Sequence, residues 1–488
     1  MYVEELRSPG VRGTTEEGPT QVQQMAAFVR RASYSDISED ARQALKIRVL
    51  DSIACAIGAL DGPPIHMLRS YLDDLGGNPL VSLIGLGGAK TSPDRAALYN
   101  GALVRYLDYN DSFLSKGETC HPSDNVGAVL AASEYAGASG QEFLTALAVA
   151  YQVQCRLSEE APVRAKGFDH TTQGAYAVAA GVSKALGLDE ARLANALAIS
   201  GTAYNALRVT RTGRLSNWKG LAYPNTAFDA THATFLAKHG ITGPMEVFEG
   251  NKGFMESIAG HFELDWSKED LEVVRRTILK KYNAEIHSQS VLEGVLDLRA
   301  NYSFSPHEIE RVRVDVFDVA YNIIGGGEEG DKRLVQTKEE ADHSLPYMVA
   351  VALLDGEVTP AQYLPERIVR EDVQNLLGQV LIRPDAGFSA RFPGEMCCRI
   401  RIELADGRVL TVEKRDYEGF LTRPMSWEHL AVKLDNLAAP YTDAAIRQEI
   451  IQMVLALDTI QISDLTSLLA RVRVGAAQEA QAIIGGTR

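Results

Sequence analysis

Basic charge is in deficit in this chain: 49 lysines and arginines face 64 aspartates and glutamates, a net charge of −15. That balance argues against a nucleic-acid or anionic-membrane partner. Cysteine is sparse as well. The five, Cys55, Cys120, Cys155, Cys397 and Cys398, are odd in number and scattered, so they frame no disulfide scaffold and reduced thiols are expected. No C-x-x-C pair gathers thiolates for zinc or an iron–sulfur cluster. Long apolar runs are missing: the longest Ala-rich stretch, Gly174 to Leu188, is broken by Lys184 and falls short of the ~20 residues of a membrane span. Met1 to Thr20 lack the apolar segment of a secretory signal; a flexible extension over residues 1–20 and a cytoplasmic location are expected. The glycine clusters Gly85-Leu86-Gly87-Gly88 and Gly325-Gly326-Gly327 do not form the strand–Gly-x-Gly-x-x-Gly–helix fingerprint of a dinucleotide site. His232 and His239 lie seven apart without a carboxylate at metal-ligand spacing.

Apolar content is ample, 45% of 488 residues, and single cores rarely grow past about 250–300 residues, so two domains are expected. From Gln21 to Leu279 the pattern is of successive helices. Leu45, Val49, Ile53 and Ile57 recur at i, i+4, and apolar runs follow at Val126–Ala136, Phe143–Val153, Ala175–Leu186 and Leu193–Ile199. Near Tyr282 the period changes. Glu310–Val316 and Cys398–Leu404 alternate with period two, and the latter meets Ala405-Asp406-Gly407 and a second run through Leu410 and Val412, a hairpin signal. Ser344–Leu354 reads as a helix in the same region, and helical patterning resumes after Arg423-Pro424 to the chain's end. The fold class is therefore mostly α with an α+β part. A large all-helical domain, 21–279 and 424–488, carries a smaller α+β lid domain, 280–423, inserted before the C-terminal helices.

One short polar interruption stands out. Leu107-Asp108-Tyr109-Asn110-Asp111-Ser112 is followed by His121-Pro122-Ser123-Asp124-Asn125, and ionisable groups set so densely between apolar helices mark a candidate acid/base site. Together with Gly167-Phe168-Asp169-His170, Trp218-Lys219, Ala284-Glu285-Ile286-His287-Ser288-Gln289 and Asp342-His343-Ser344-Leu345-Pro346-Tyr347-Met348, these segments stand in the order of the MmgE/PrpD family, which the chain resembles over nearly its whole length. The resemblance implies a lyase without cofactor or metal, usually a homodimer, acting on a branched tricarboxylic acid: a dehydratase of 2-methylcitrate or a similar acid in propionate metabolism, or a decarboxylase of a cis-aconitate-like acid. By position, Asp108, Ser112, His121, His170, Lys219, Lys280 and Tyr347 fall where the family keeps its active-site residues, with Lys281 adjacent to Lys280. Asp124, Asn125 and Glu285 favour the dehydratase branch. A non-catalytic binding protein of the same fold is the reading from another class.

The residues themselves admit that chemistry. A tricarboxylate needs directional cations, which Arg208, Arg211, Lys219 and Lys280 supply; Arg208 and Arg211 share a face if their stretch is helical. Removing water from a 3-hydroxy acid needs a base for a weakly acidic C–H and an acid for the departing hydroxyl. Asp108 is the first candidate for the base and His121 or His170 for the acid, with the roles exchangeable, and Lys219 stabilises developing charge. The plain alternatives stand beside these: Asp108 as a helix cap or the partner of Arg105, His121 as a turn residue before Pro122, His170 as a helix start, Lys219 as a snorkelling surface residue. Glu285 and His287 share one face if their segment is extended, with His287 a substrate contact. Tyr347 is expected to donate to a substrate carboxylate, against core packing with Leu345 and Met348. His343 beside Asp342 reads as a structural pair.

Overall fold

The computed structural model describes residues 18–473; the expectations for 1–17 of the extension and for helical patterning over 474–488 lie outside the described residues. Ten described α-helices precede Tyr302: α1 Gln21–Arg31, α2 Glu39–Gly58, α3 Pro63–Leu75, α4 Pro93–Tyr106, α5 Val126–Ala136, α6 Gly140–Glu160, α7 Thr171–Ala185, α8 Glu190–Ala203, α9 Trp218–Lys238 and α10 Gln289–Asn301. Their starts follow local chemistry. Ser139 and Glu142 form a reciprocal capping box at α6, and the Asp189 carboxylate accepts the Arg192 N–H at 2.9 Å to open α8.

Two helices are pressed together where it matters for the site. A Cβ on Gly127 of α5 would come within 2.5 Å of the Gly101 nitrogen on α4, so only glycine permits this backbone contact. It sets the C-terminal end of α4, which leads to Asp108, beside the N-terminal end of α5, which follows His121.

The first half is not purely helical, contrary to its periodicity. Two short antiparallel ladders interrupt it: β1 Val81–Ser82 with β2 Lys90–Thr91, and β3 Phe113–Leu114 with β4 Thr119–Cys120. Each strand has two residues, too few for an alternation signal, yet the β3–β4 hairpin carries the chain from Ser112 back to His121.

The third sheet is longer: β5 Ile309–Val316, β6 Val380–Pro384, β7 Cys398–Leu404 and β8 Val409–Lys414, in the order β6-β5-β7-β8. Only the β5–β6 pair is parallel. The register sets Val312 against Ile402 and Val314 against Ile400, so one face is apolar and joins α10 and the helix Leu345–Asp355 in a core. The other face carries Arg311, Arg313, Arg399 and Arg401.

Buried apolar residues fall into two cores. The first draws on Val22 to Leu279 and again on Met425 to Val472; the second runs from Ile278 to Phe420. The chain leaves and rejoins the helical layer at one place. Leu279 N–H donates to the Gly419 carbonyl at 3.0 Å, and Gly419, at φ 118°, leaves no room for a side chain there. Among the described residues, no helix is long and apolar enough to cross a membrane.

Candidate active site

A cleft between the two cores collects ends of elements from both. Asp108 follows α4; His121 precedes a 3-10 turn, Pro122–Asn125, that runs into α5; His170 occupies the N-cap position of α7. Arg208 and Arg211 open and close a 3-10 turn, Arg208–Arg211, between α8 and α9. His287 lies in the turn Ile286–Ser288 before α10, and His343 precedes the helix Leu345–Asp355. Several helices thus begin at one place, and helix N-termini favour anions through their unpaired N–H groups and dipoles.

Of the residues expected at the site, Asp108, His121, His170, Arg208, Arg211 and His287 line the cleft. Ser112, Lys219 and Lys280 stand behind its wall. The Ser112 hydroxyl lies 3.0 Å from His121 Nδ1, and Lys219 and Lys280 contact the Asp108 carboxylate at 3.5 and 2.8 Å. The ambiguity between adjacent lysines is resolved: Lys280 is fully buried, whereas Lys281 pairs with Glu418 at 2.9 Å away from the cleft. Tyr347 is a correction. Its hydroxyl donates to the Gln362 carbonyl inside the second core, so it does not face the cleft. The Glu285–His287 segment is corrected too: it is a 3-10 turn rather than extended, because the Glu285 carboxylate caps it by accepting the His287 N–H at 2.7 Å. His232 and His239 lie exposed on α9 and at its end.

Asp108 is the electrostatic hub. It takes φ 54°, a left-handed conformation that costs a non-glycine residue about 1 kcal/mol and is fixed here by Lys280, which donates to both its carbonyl (2.7 Å) and its carboxylate. The Arg105 guanidinium also bonds the carboxylate, and His343 Nδ1 lies 3.6 Å away. Burial alone would raise its pKa, but Arg105, Lys280, Lys219 and His343 together hold it well below the usual carboxylate range. A carboxylate so stabilised is a weak proton acceptor.

The imidazoles are shifted down as well, but in them the shift favours the uncharged form. His121 Nδ1 lies 2.8 Å from the Asp111 carbonyl, which can only accept, so Nδ1 carries the proton and Nε2 the lone pair. Burial and the nearby Arg105 and Lys280 charges push its pKa well down, which keeps it neutral. His170 is held at about 3, chiefly by burial; its ring stands 5.5 Å from that of His121. There Nδ1 faces the Asp169 carboxylate at 3.3 Å and Nε2 has no protein partner.

Sequence reasoning set His343 aside as a structural pair. The pair exists, with Nδ1 donating to Asp342 at 2.9 Å, but the ring also lines the cleft. Burial and the Lys219 charge lower its pKa. Arg105, Glu118, Thr119, Arg164, Glu285 and Ile323 complete the lining. Of these, Arg105 was foreseen only as a partner of Asp108, and Glu118 and Arg164 stand in no pattern that singles them out in the sequence.

Asp108, Asp342 and His343 bring ligand atoms within 4.8 Å of one another, a spacing able to hold a metal ion. Each carboxylate, however, already has ammonium partners: Lys219 touches both, Lys280 sits on Asp108, and Lys338 lies 2.7 Å from Asp342. A metal would have to displace Lys219, so the donor set suits a protein cation better.

A cleft between two cores that joins neutral imidazoles to buried arginine and lysine charges can move protons on an anionic small molecule. The chain belongs to the MmgE/PrpD family: the MmgE/PrpD N-terminal domain matches residues 23–267 and the MmgE/PrpD C-terminal domain residues 282–459. It is similar to cis-aconitate decarboxylase of Mus musculus, 27% identical over 449 residues that cover 87% of this chain and 88% of that protein. It is also similar to 2-methylcitrate dehydratase of Salmonella typhimurium, 27% identical over 396 residues, 76% of this chain and 78% of that protein.

Proposed function

We propose that this chain is a lyase that dehydrates 2-methylcitrate, or a similar citrate-like tricarboxylic acid, to a cis-aconitate-type alkene without a metal. The observation that carries this reading is the meeting of His121, His170, Arg208 and Arg211 in one cleft, backed by the Asp108–Lys219–Lys280 cluster. The relatives named above are a 2-methylcitrate dehydratase and a cis-aconitate decarboxylase.

The local chemistry assigns the roles differently from spacing alone. With three cations on its carboxylate, Asp108 passes the base role to His121, whose Nε2 accepts the proton from the carbon next to a carboxylate. The C–H electron pair forms the double bond and the hydroxyl departs as water, taking a proton from His170. His170 suits that task because Asp169 beside Nδ1 supports an imidazolium, and a bound polyanion raises the pKa of imidazoles that the free cleft keeps neutral. Lys219 and Lys280, with Asp108 between them, stabilise charge that grows on the substrate carboxylate. His287, oriented by Glu285 through a 2.7 Å contact at Nδ1, is a substrate contact in this reading. We extend the proposal to a homodimer, as the resemblance implies, and to a cytoplasmic location, as the sequence reading expects.

Decarboxylation is the second reading, favoured by the long match to the mouse enzyme; the same cations would stabilise a carbanion left by loss of carbon dioxide. Asp124 and Asn125 no longer speak to the choice. Asp124 accepts from Asn110 at 2.8 Å, and Asn125 bonds Gln154 at 2.6 Å, so both hold the loop. The test is to offer chelator-treated protein a panel of hydroxy- and unsaturated tricarboxylates while following alkene absorbance and carbon dioxide. Alkene without gas supports dehydration, gas supports the second reading, silence on the whole panel refutes both and leaves a binding protein, and activity lost only on chelation refutes the metal-free mechanism.

A further inference from the structure

The cleft encloses about 30 Å³, whereas small-molecule sites usually offer about 300 Å³ or more. In this arrangement it is too narrow to admit a tricarboxylate, and one contact spans it. Glu329, on the lid just after the turn Tyr321–Gly325, reaches across to the helical domain, where its Oε1 accepts from Arg164 Nη2 at 3.0 Å and Arg208 Nη2 at 2.5 Å. Both arginines line the cleft.

The contact is incomplete as a structural salt bridge. Glu329 Oε2 and Arg208 Nε are buried without a protein partner, and Arg208 Nη1 stays 3.5 Å from Asp169. Arg211 contrasts with it: Nε and Nη2 fork onto Asp169 at 2.6 and 3.3 Å, so Arg211 is already committed. The Arg164 side of the pair is rigidly presented, because the buried Glu118 carboxylate accepts the backbone N–H groups of Val163 and Arg164 at 3.2 and 3.0 Å. Beyond Glu329, residues Gly330 to Lys332 border a surface groove of about 340 Å³ that Arg214 and Leu215 complete on the helical side. Glu329 therefore stands between that groove and the inner cleft.

The geometry points to a carboxylate subsite formed by Arg164 and Arg208, which Glu329 fills in this arrangement and which one carboxylate of the substrate takes over when the lid opens. The proposal rests on the polyacid reading above and names where the carboxylate remote from the reacting carbon is held. A glutamate side chain presents the same planar two-oxygen group as the ligand, so the arginine forks match either. An internal competitor reduces apparent affinity by the fraction of molecules in which it must first withdraw.

Calorimetry of the intact chain with propane-1,2,3-tricarboxylate, which has neither hydroxyl nor alkene and cannot react, tests this directly. Glu329→Gln is expected to bind the probe about tenfold more tightly and Arg164→Gln about tenfold more weakly. In the double variant the gain from Glu329→Gln disappears, because its competitor's target is gone. Should Glu329→Gln fail to fold, Glu329→Asp, whose shorter side chain withdraws from the arginines, carries the same comparison. Wild-type binding that Glu329 variants leave unchanged or weaken overturns the subsite and leaves the lyase reading intact. A wild-type protein that binds no probe and turns over no tricarboxylate removes the polyacid reading, and the subsite with it.

Discussion

Lys433 and Lys219 are buried almost equally, at 6% and 3% exposure, yet their surroundings differ in kind. Lys433, on the C-terminal helix Trp427–Ala438, donates to the Asp51 carboxylate at 2.6 Å and to the carbonyls of Tyr109 and Lys280 at 2.8 and 3.2 Å. All three of its N–H groups have fixed acceptors, and together they tie α2, the loop after α4 and the domain crossing. Lys219 makes one hydrogen bond, to Asp342, and a longer contact to Asp108. Burial pushes its pKa down to about 8. A buried cation whose donors are all engaged holds a fold; one that shares its field with groups facing a cleft is placed for chemistry.

That contrast breaks most readily at Lys433. Lys433→Met leaves Asp51 buried without its cation and is expected to lower stability by about 3–5 kcal/mol, read from the denaturant midpoint, while the protein that remains folded keeps its pH–rate profile. A changed profile would mean that Lys433 also acts in the reaction. His121→Gln should do the reverse. Turnover falls roughly a thousandfold, about 4 kcal/mol in barrier, in a protein with an ordinary unfolding curve, and near-normal turnover would remove His121 from the base role.

Lys219→Met is expected to reduce kcat/KM about a hundredfold, the scale of losing one charge-stabilising donor. The pH dependence sharpens this. The ammonium is the useful form, so wild-type activity should fall as pH rises through about 8, and the variant should lose that limb; a limb that survives belongs to another group. Tyr347→Phe should have the smallest effect. Its hydroxyl is engaged by Gln362, so the variant loses about 1 kcal/mol of stability with KM unchanged, and a raised KM would return Tyr347 to the cleft.

The period-two run Cys398–Leu404, its Ala405-Asp406-Gly407 turn and the return through Leu410 and Val412 became β7 and β8, because alternation records which face is buried. The run Val126–Ala136 coincides with α5. Period says nothing about two-residue ladders, so β3–β4 was invisible. At the site, spacing revealed which residues share a segment but not which way they face. Asp342 and His343 are a pair, as their adjacency suggests, and the same ring also reaches the cleft. Tyr347, at the start of a helix apolar on nearly every side, turned into the core instead. Arg105 is indeed the partner of Asp108, yet that does not make Asp108 a mere cap, since Lys219 and Lys280 converge on the same carboxylate. Such convergence across the chain becomes visible only in three dimensions.

The hydrogen bond between Leu279 and Gly419 makes the α+β unit a cassette spliced in at a single seam. Its two junctions are neighbours, so swapping the unit for a relative's, or replacing it with a short linker, leaves the threading of the helical layer undisturbed. Descendants of such an architecture can redraw one module while the other keeps the imidazoles of His121 and His170 in register.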